Sequence, residues 1–276
     1  MKWLPNKASS KEIGQGRLFL WKQPSFFYLC RMITKNTVKY IQSLKQQKFR
    51  NEFQCFVVEG RKMVEELLNS SFEIDYLLAT ERFISGQAFT HPRLELVNDV
   101  QMEQMSGQDT PPGILAVVKM PKPRMIGDER MVLALDGIAN PGNMGTIIRT
   151  AEWFGIKDIV CSEDCVELWN PKVIQATMGS IFRMNVVSAD LARFLEAERQ
   201  RGKAIYGALL NGENLFKKTS WEDGIIVIGS ESHGIRKPIL PLITHPITIP
   251  RADGSVTESL NASMASGIIL AIFAMN

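Results

Sequence analysis

Beyond residue 130 the chain alternates regularly between apolar runs and amphipathic stretches. Runs such as Met131–Leu135 and Ile225–Gly229 have the length of buried strands, and a stretch such as Met144–Phe154 has the spacing of a helix. Strands that alternate with helices are typical of a mainly parallel sheet covered on both faces. The pattern therefore predicts an α/β domain over residues 131–276. Its other predicted elements are the strands 158–161, 183–187, 204–209 and 247–249 and the helices 171–178, 191–198 and 260–273.

Residues 32–120 alternate in the same way and are predicted to form a second, smaller α/β unit. Its predicted elements are the helices 36–47 and 61–69 and the strands 55–58, 73–79, 94–97 and 113–120. The polar, proline-rich stretch 121–130 has no periodic core and is interpreted as a linker. Residues 1–31 show no clean period and are interpreted as a leader whose place in the fold is open.

Charge is distributed unevenly along the chain. Residues 1–50 contain eleven Lys or Arg and one acid, Glu12, a net charge of +10, whereas residues 51–276 have a net charge of −7. A basic end on a mildly acidic body favours a polyanionic partner such as nucleic acid, and a solvated tail is the alternative interpretation.

Cysteine and hydropathy patterns narrow the class of protein further. The four cysteines, at positions 30, 55, 161 and 165, are too few and too scattered for a disulfide framework and fit a reducing cytoplasm. The sequence has no run of 18 apolar residues, so we expect no membrane span. Its three histidines lack the spacing of metal ligands, so no metal site is predicted.

Three glycine- and asparagine-rich turns follow predicted strands in the second half, where open α/β sheets bind their ligands. In the first turn, Asn143 is predicted to cap the following helix. Arg149 lies on that otherwise apolar helix and is interpreted as paired or functional, with a surface arginine as the alternative. In the second turn, Gly229 and Glu231 follow an apolar strand, and His233 is interpreted as a loop residue rather than a catalyst.

The third turn leads into a helix rich in small residues. A strand ends near Pro250, a polar loop follows, and the helix is predicted to open around Ser259. Small residues from Ala262 to Gly267 would let this helix pack closely on a neighbour, and its Ser and Asn side chains need hydrogen-bond partners. The dinucleotide fingerprint GxGxxG is absent, and so are a P-loop, a nucleophile elbow and paired catalytic carboxylates.

Together the three turns resemble the signature motifs of the SpoU (TrmH-type) branch of the SPOUT methyltransferases. The matching segments are 140–151, 228–234 and 249–263, and their order and spacing fit across residues 131–276. Upstream, residues 43–62 resemble the small RNA-substrate-binding domain of the same family, so the resemblance covers about residues 32–276. Two positions depart from it, because the family usually has Asp in place of Asn140 and often has Met in place of Arg251.

The resemblance implies a trefoil-knotted domain, a homodimer, S-adenosylmethionine as cofactor and methylation of a ribose 2′-hydroxyl in RNA, most often ribosomal RNA, with transfer RNA as the alternative. By motif position, the cofactor would contact Gly229, Ile249 and Leu260. The catalytic and substrate-orienting set implied by the motifs is Asn143, Arg149, Glu231, Ser259 and Asn261. Arg149 is hypothesised to help remove or stabilise the departing hydroxyl proton. Because an arginine stays protonated in proteins and is a poor base, the alternative is that it holds a phosphate that accepts this proton.

Two other functions remain open at this point. A non-catalytic RNA-binding or ribosome-assembly protein could retain the same fold, although the intact motif residues speak against it. A nicotinamide-dependent enzyme is disfavoured by the missing glycine fingerprint.

Overall fold

The chain divides into two compact units, residues 1–120 and residues 121–276. The computed structural model describes residues 9–12, 17–20, 30–31, 33–87, 89, 91–127, 130–217 and 220–275, with the main chain only before residue 33 and at residues 86 and 87. Ile126, in the segment interpreted as a linker, packs against the core of the second unit.

The first unit contains a small antiparallel sheet and a larger mixed one. The antiparallel sheet consists of β1 (Ser9–Glu12), β2 (Arg17–Leu20) and β3 (Cys30–Arg31). The strands of the mixed sheet are β4 (Cys55–Glu59), β5 (Ile74–Thr80), β6 (Leu94–Val97) and β7 (Ile114–Lys119), in the order β4-β7-β5-β6. The helices are α1 (Lys35–Ser43), α2 (Gln47–Phe53), α3 (Arg61–Leu68), α4 (Glu81–Gln87) and α5 (Asp99–Met105). Buried side chains of α1, α5 and the sheet form its core.

The helix predicted over residues 36–47 is wrong in its extent, because two helices meet there. The helix α1 ends at Ser43, and α2 begins at Gln47. Buried Arg50 explains the break, since its Nη1 donates to the carbonyl oxygens of Leu44 at 2.8 Å and Lys45 at 2.9 Å. A side chain therefore binds carbonyls that would otherwise be the acceptors of a continuing helix.

The second unit is a six-stranded, entirely parallel sheet with helices packed on it, which confirms the predicted α/β class. Its strands are β8 (Met131–Asp136), β9 (Asp158–Ser162), β10 (Asn185–Ala189), β11 (Ala204–Asn214), β12 (Gly224–Gly229) and β13 (His245–Thr248), in the order β10-β9-β8-β12-β11-β13. Its helices are α6 (Pro141–Trp153), α7 (Pro171–Thr177), α8 (Leu191–Gln200) and α9 (Ala262–Ala274). Because every strand is parallel, the turns that follow the strands lie along one edge of the sheet.

The helices α6 and α9 lie side by side and run in the same direction. Their first residues meet through a hydrogen bond between Asn143 and Asn261. Further along, small residues of α9 are buried in the packing, since Ala262 is 3% exposed and Ser266 has no exposed surface. The close packing expected of the small-residue helix is therefore observed, and its first turn meets a polar group.

Several predicted boundaries differ from the observed ones. The strand β11 runs on to Asn214 because its second half pairs again with β13 after a bulge. The strand β10 begins at Asn185 because Ser180–Phe182 forms a 3-10 turn. In the part of the chain that the structure describes, no helix is both long and apolar enough to cross a membrane.

Candidate active site

The first turn of α6 is held by Asn140. Its Oδ1 accepts hydrogen bonds from the backbone N–H groups of Gly142 at 2.8 Å and Asn143 at 3.1 Å. Pro141 occupies the first helical position, where a missing N–H costs nothing. The prediction that Asn143 caps this helix is therefore wrong. The departure from Asp at position 140 keeps the capping oxygen, and the side chain of Asn143 is left to make other contacts.

Asn143, Glu231 and Asn261 form a continuous chain of hydrogen bonds, called the Asn–Glu–Asn chain below. The Nδ2 of Asn143 donates to Oε1 of Glu231, and the Nδ2 of Asn261 donates to Oδ1 of Asn143 at 3.1 Å. Asn261 also caps α9, because its Oδ1 accepts from the backbone N–H of Ser263 at 2.9 Å. One residue from each of the three predicted motifs thus belongs to a single polar cluster.

The Asn–Glu–Asn chain is open to solvent. Asn143 is half-buried, whereas Glu231 and Asn261 are exposed. A carboxylate can accept about four hydrogen bonds, so Glu231 keeps acceptor capacity beyond its bond to Asn143. The cluster can therefore bind and orient a hydroxyl or amino group of a ligand at the carboxyl edge of the sheet.

Glu231 is carried by a tight loop over the end of β12. Ser230 and Gly234 exchange backbone hydrogen bonds of 3.2 and 2.8 Å, which close the loop. A Cβ atom at Gly229 would lie 2.1 Å from the carbonyl carbon of Gly234. Glycine is required at position 229 because the loop backbone packs directly over it.

Arg149 and Ser259, two members of the predicted catalytic set, lie apart from this chain of hydrogen bonds. Arg149 shares an exposed face of α6 with Thr146 and with Trp153, whose exposed fraction is 84%. Ser259 belongs to the exposed segment 250–261. Among the residues described, neither side chain has a hydrogen-bond or ion-pair partner. The structure therefore brings together three of the five predicted catalytic residues.

The residues predicted to bind the cofactor lie at the ends of the elements that form this edge. Gly229 ends β12, and Ile249 follows β13 and is half-buried. Leu260 directly precedes Asn261 and is 46% exposed. Between them, Nη1 of Arg251 donates to the carbonyl oxygen of Thr257 at 3.0 Å, so the second departure from the family pattern braces this segment.

Sequence reasoning missed a thiol that lies under the first turn. The Sγ of Cys165 accepts a hydrogen bond from the backbone N–H of Ile138 at 3.3 Å. A hydrogen bond from Cys161, assisted by Ser162 and backbone amides, lowers the pKa of Cys165 to about 7. That same bond and burial raise the pKa of Cys161. The described residues contain no group of three or more His, Cys, Asp or Glu that could hold a metal ion.

Comparisons with known proteins agree with this geometry. Residues 130–271 match the model of the SpoU rRNA Methylase family, and residues 35–116 match an MRM3-like substrate binding domain. The chain is 28% identical over 235 residues to the 23S rRNA guanosine 2′-O-methyltransferase RlmP of Bacillus subtilis, with 84% of this chain and 94% of that protein covered.

Solved structures give the same result. A protein assigned to the TrmH family of RNA methyltransferases from Porphyromonas gingivalis is 33% identical, with a TM-score of 0.80 over 88% of this chain and 98% of that chain. An AdoMet-bound rRNA methyltransferase from Sinorhizobium meliloti is 25% identical, with a TM-score of 0.77 over 88% of this chain and 97% of that chain.

Fold and site thus define an RNA methyltransferase of the parallel α/β type. The chain belongs to the SpoU rRNA methylase family, which confirms the predicted resemblance. The carboxyl edge of the sheet also suits S-adenosylmethionine, since partly exposed Ile249 and Leu260 offer apolar surface for a flat base beside polar backbone and the Asn–Glu–Asn chain.

Proposed function

We propose that this enzyme transfers a methyl group from S-adenosylmethionine to a ribose 2′-hydroxyl of ribosomal RNA in the cytoplasm. The observation that carries the proposal is the Asn–Glu–Asn chain, because it joins the three family motifs at the edge where a parallel sheet binds its ligands. Ribosomal RNA is favoured over transfer RNA because RlmP, similar over most of its length, is named for 23S rRNA. The family's trefoil knot belongs to the same proposal.

The side chains of the protein orient the ribose. S-adenosylmethionine supplies an electrophilic methyl group on its sulfonium. Asn143 and the exposed carboxylate of Glu231 hold the attacking hydroxyl, and positioning of this kind is the main contribution that such a transfer requires. The guanidinium of Arg149 holds a phosphate of the RNA in a bidentate pair, and that phosphate accepts the hydroxyl proton.

The first unit offers a surface that suits RNA. Lys35, Lys39, Lys45 and Lys48 are exposed on and around α1 and α2. The ammonium of Lys48 lies 5.7 Å from the centroid of the Phe49 ring, and Phe53 is 44% exposed. Proteins that bind unpaired RNA usually combine cationic side chains, which bind phosphates, with aromatic rings, which stack on bases.

A homodimer is part of the proposal. Trp153 on α6 and Met264 on the adjacent helix α9 are 84% and 62% exposed. Large apolar side chains exposed on two packed helices are typical of a surface that another protein covers. A second copy seated there would also lie against Arg149, which shares the face of Trp153.

Substitution of Trp153 by Glu is expected to convert the dimer to a monomer, since an unpaired charge would be buried in the interface. Sedimentation velocity of the wild type and the variant measures this directly. Gln175→Glu, which makes the same charge change of −1 on the exposed face of α7, serves as the control and should remain dimeric. A wild type that sediments as a monomer would refute the dimer.

The catalytic proposal is tested by Arg149→Ala with tritiated S-adenosylmethionine and ribosomal RNA lacking its natural methyl groups. Turnover should fall by at least about 100-fold, because a charged group that binds the reacting phosphate is lost. Binding of S-adenosylmethionine, measured by calorimetry, should survive. The control Arg193→Ala removes an exposed arginine from α8 and should retain activity. Full turnover in Arg149→Ala contradicts the role assigned to that residue.

Assay of the wild type distinguishes the proposed enzyme from the non-catalytic alternative. An RNA-binding or ribosome-assembly protein would bind the RNA without incorporating tritium. Incorporation released as a 2′-O-methylnucleoside supports the enzyme, whereas incorporation into a base would overturn the ribose as acceptor.

A further inference from the structure

An ion pair beside the active site joins a buried carboxylate to a half-buried arginine that is far away in sequence. Asp136, at the end of β8, has no exposed surface. The Nε of Arg236 donates to its Oδ1 at 2.6 Å, and the backbone N–H of Arg236 donates to its Oδ2 at 2.8 Å. The Nη1 of Arg236 reaches outward to Oδ2 of Asp164 at 2.9 Å. Arg236 thus uses its backbone and two sides of its guanidinium at once.

Asp136 anchors both ends of the loop that carries Glu231. At one end, Asp136 is the parallel-sheet partner of Gly229, the last residue of β12. At the other end, the loop finishes at buried Ile235. The next residue, Arg236, binds the carboxylate of the same Asp136. The loop therefore begins beside the backbone of Asp136 and ends on its buried carboxylate.

We propose that Arg236 is a positioning residue, which clamps the loop 230–235 on Asp136 so that the carboxylate of Glu231 meets the amide of Asn143. The inference rests on the proposed function, because it gives Arg236 a catalytic consequence only through the Asn–Glu–Asn chain.

The chemistry of the pair explains why the residue is an arginine. A buried carboxylate is costly unless its oxygens are paired and hydrogen-bonded. The hydrogen bond to Asp136 raises the pKa of Arg236, so its guanidinium stays charged. A lysine ammonium would supply the charge but not the planar fork that reaches Asp136 and Asp164 together.

The test compares Arg236→Met and Arg236→Lys with the wild type in single-turnover and steady-state methylation assays. We expect kcat to fall about 100-fold in Arg236→Met and about 10-fold in Arg236→Lys, since a misplacement near 1 Å costs about this much. The KM values for RNA and S-adenosylmethionine should change by less than about threefold, because neither ligand is bound by Arg236. Lys237→Met, which removes the next, exposed cation, is the matched control and should keep wild-type kcat.

A spectroscopic measurement separates positioning from a general loss of structure. In protein labelled with 15N in the asparagine side chains, the Asn143 amide resonance is assigned by its disappearance in Asn143→Ala. It should move toward the position of a solvent-exposed amide in Arg236→Met and partway there in Arg236→Lys. Arg236→Lys keeps a cation beside Asp136, so it preserves the fold even where Arg236→Met unfolds.

The outcomes are distinguishable from failure of the proposed function. A wild type without methyl transfer refutes that function, and the Asn143 resonance still reports on the clamp. An active wild type whose Arg236 variants are folded and keep both kcat and the Asn143 resonance overturns the inference. A loss confined to KM also overturns it, because that result would make Arg236 a ligand-binding residue.

Discussion

The two edges of the parallel sheet in the second unit differ in what they expose. At the carboxyl edge, polar side chains lie open to solvent and bond to one another in the Asn–Glu–Asn chain. The amino edge instead has a cavity of about 300 Å³, and its lining includes Phe154, Trp221 and Phe273. The rings of Trp221 and Phe273 stack there with centroids 4.5 Å apart. The cavity therefore lies at the edge without the motif residues.

The polar residues of the active site and the aromatic residues of the core thus lie at opposite ends of the same elements. Helix α9 begins at the polar edge with Asn261 and ends at the aromatic edge with buried Phe273, about 18 Å away along its axis. Exposed polar residues contribute little to folding, whereas buried aromatic rings contribute several kcal/mol each. Substitutions at the two edges should therefore separate activity from stability.

The largest effect is expected at the polar edge. Asn143→Ala removes the residue that bonds to both Glu231 and Asn261, so turnover should fall by about 100- to 1,000-fold. The free energy of unfolding should change by less than about 1 kcal/mol, because the three side chains are exposed or half-buried. Methyl transfer and urea titration measure the two quantities. If unfolding of the variant accounted for the lost turnover, the expected separation of activity from stability would be wrong.

At the aromatic edge the expected effect is on stability. Phe273→Ala should lower the free energy of unfolding by about 3 kcal/mol, near the lower end for buried aromatic rings because a cavity already adjoins the site. Turnover per folded molecule should stay within about twofold. Met275→Ala, at the C-terminal cap of the same helix and 82% exposed, is the control and should alter stability by less than about 0.5 kcal/mol. A large loss of turnover in folded Phe273→Ala would refute the division between the two edges.

The smallest effect concerns the thiol beneath the polar edge. Because the pKa of Cys165 is lowered to about 7, its reactive thiolate is half-formed near neutral pH. Alkylation by iodoacetamide should therefore reach half its maximal rate near pH 7, while buried Cys161, whose pKa is raised, stays unmodified across the same range. Peptide mass spectrometry follows both sites, with Cys165→Ser as the control. A half-maximal rate near pH 9 would show that the hydrogen bonds around Cys165 do not stabilise its thiolate.

The sequence predicted the site better where a motif is local than where a contact is distant. Periodicity identified every strand of the parallel sheet, and the asparagine- and glycine-rich turns placed Asn143, Glu231 and Asn261 correctly in the turns that meet. Asn140 was missed as the cap although the Pro that follows it is a signal for the first helical position. The error arose from choosing the wrong one of two asparagines.

Other features were beyond the reach of sequence patterns. The pair of Asp136 and Arg236 joins residues 100 positions apart, and nothing in either local segment indicates the other. The break between α1 and α2 depends on Arg50, which is buried although arginines are mostly exposed. The sequence places Arg149 on a largely apolar helix. The exposed face that it shares with Trp153 depends on how α6 packs in the fold, which the local sequence does not show.

The central claim is that the enzyme methylates a ribose 2′-hydroxyl of ribosomal RNA through the Asn–Glu–Asn chain. The most direct test maps 2′-O-methyl groups across the total RNA of a strain that lacks this gene, then of the same strain carrying the wild-type gene or Asn143→Ala. The prediction is that one 2′-O-methyl group in ribosomal RNA disappears, returns with the wild-type gene and stays absent with Asn143→Ala. An unchanged map, or a lost methyl group on a base, would contradict the claim.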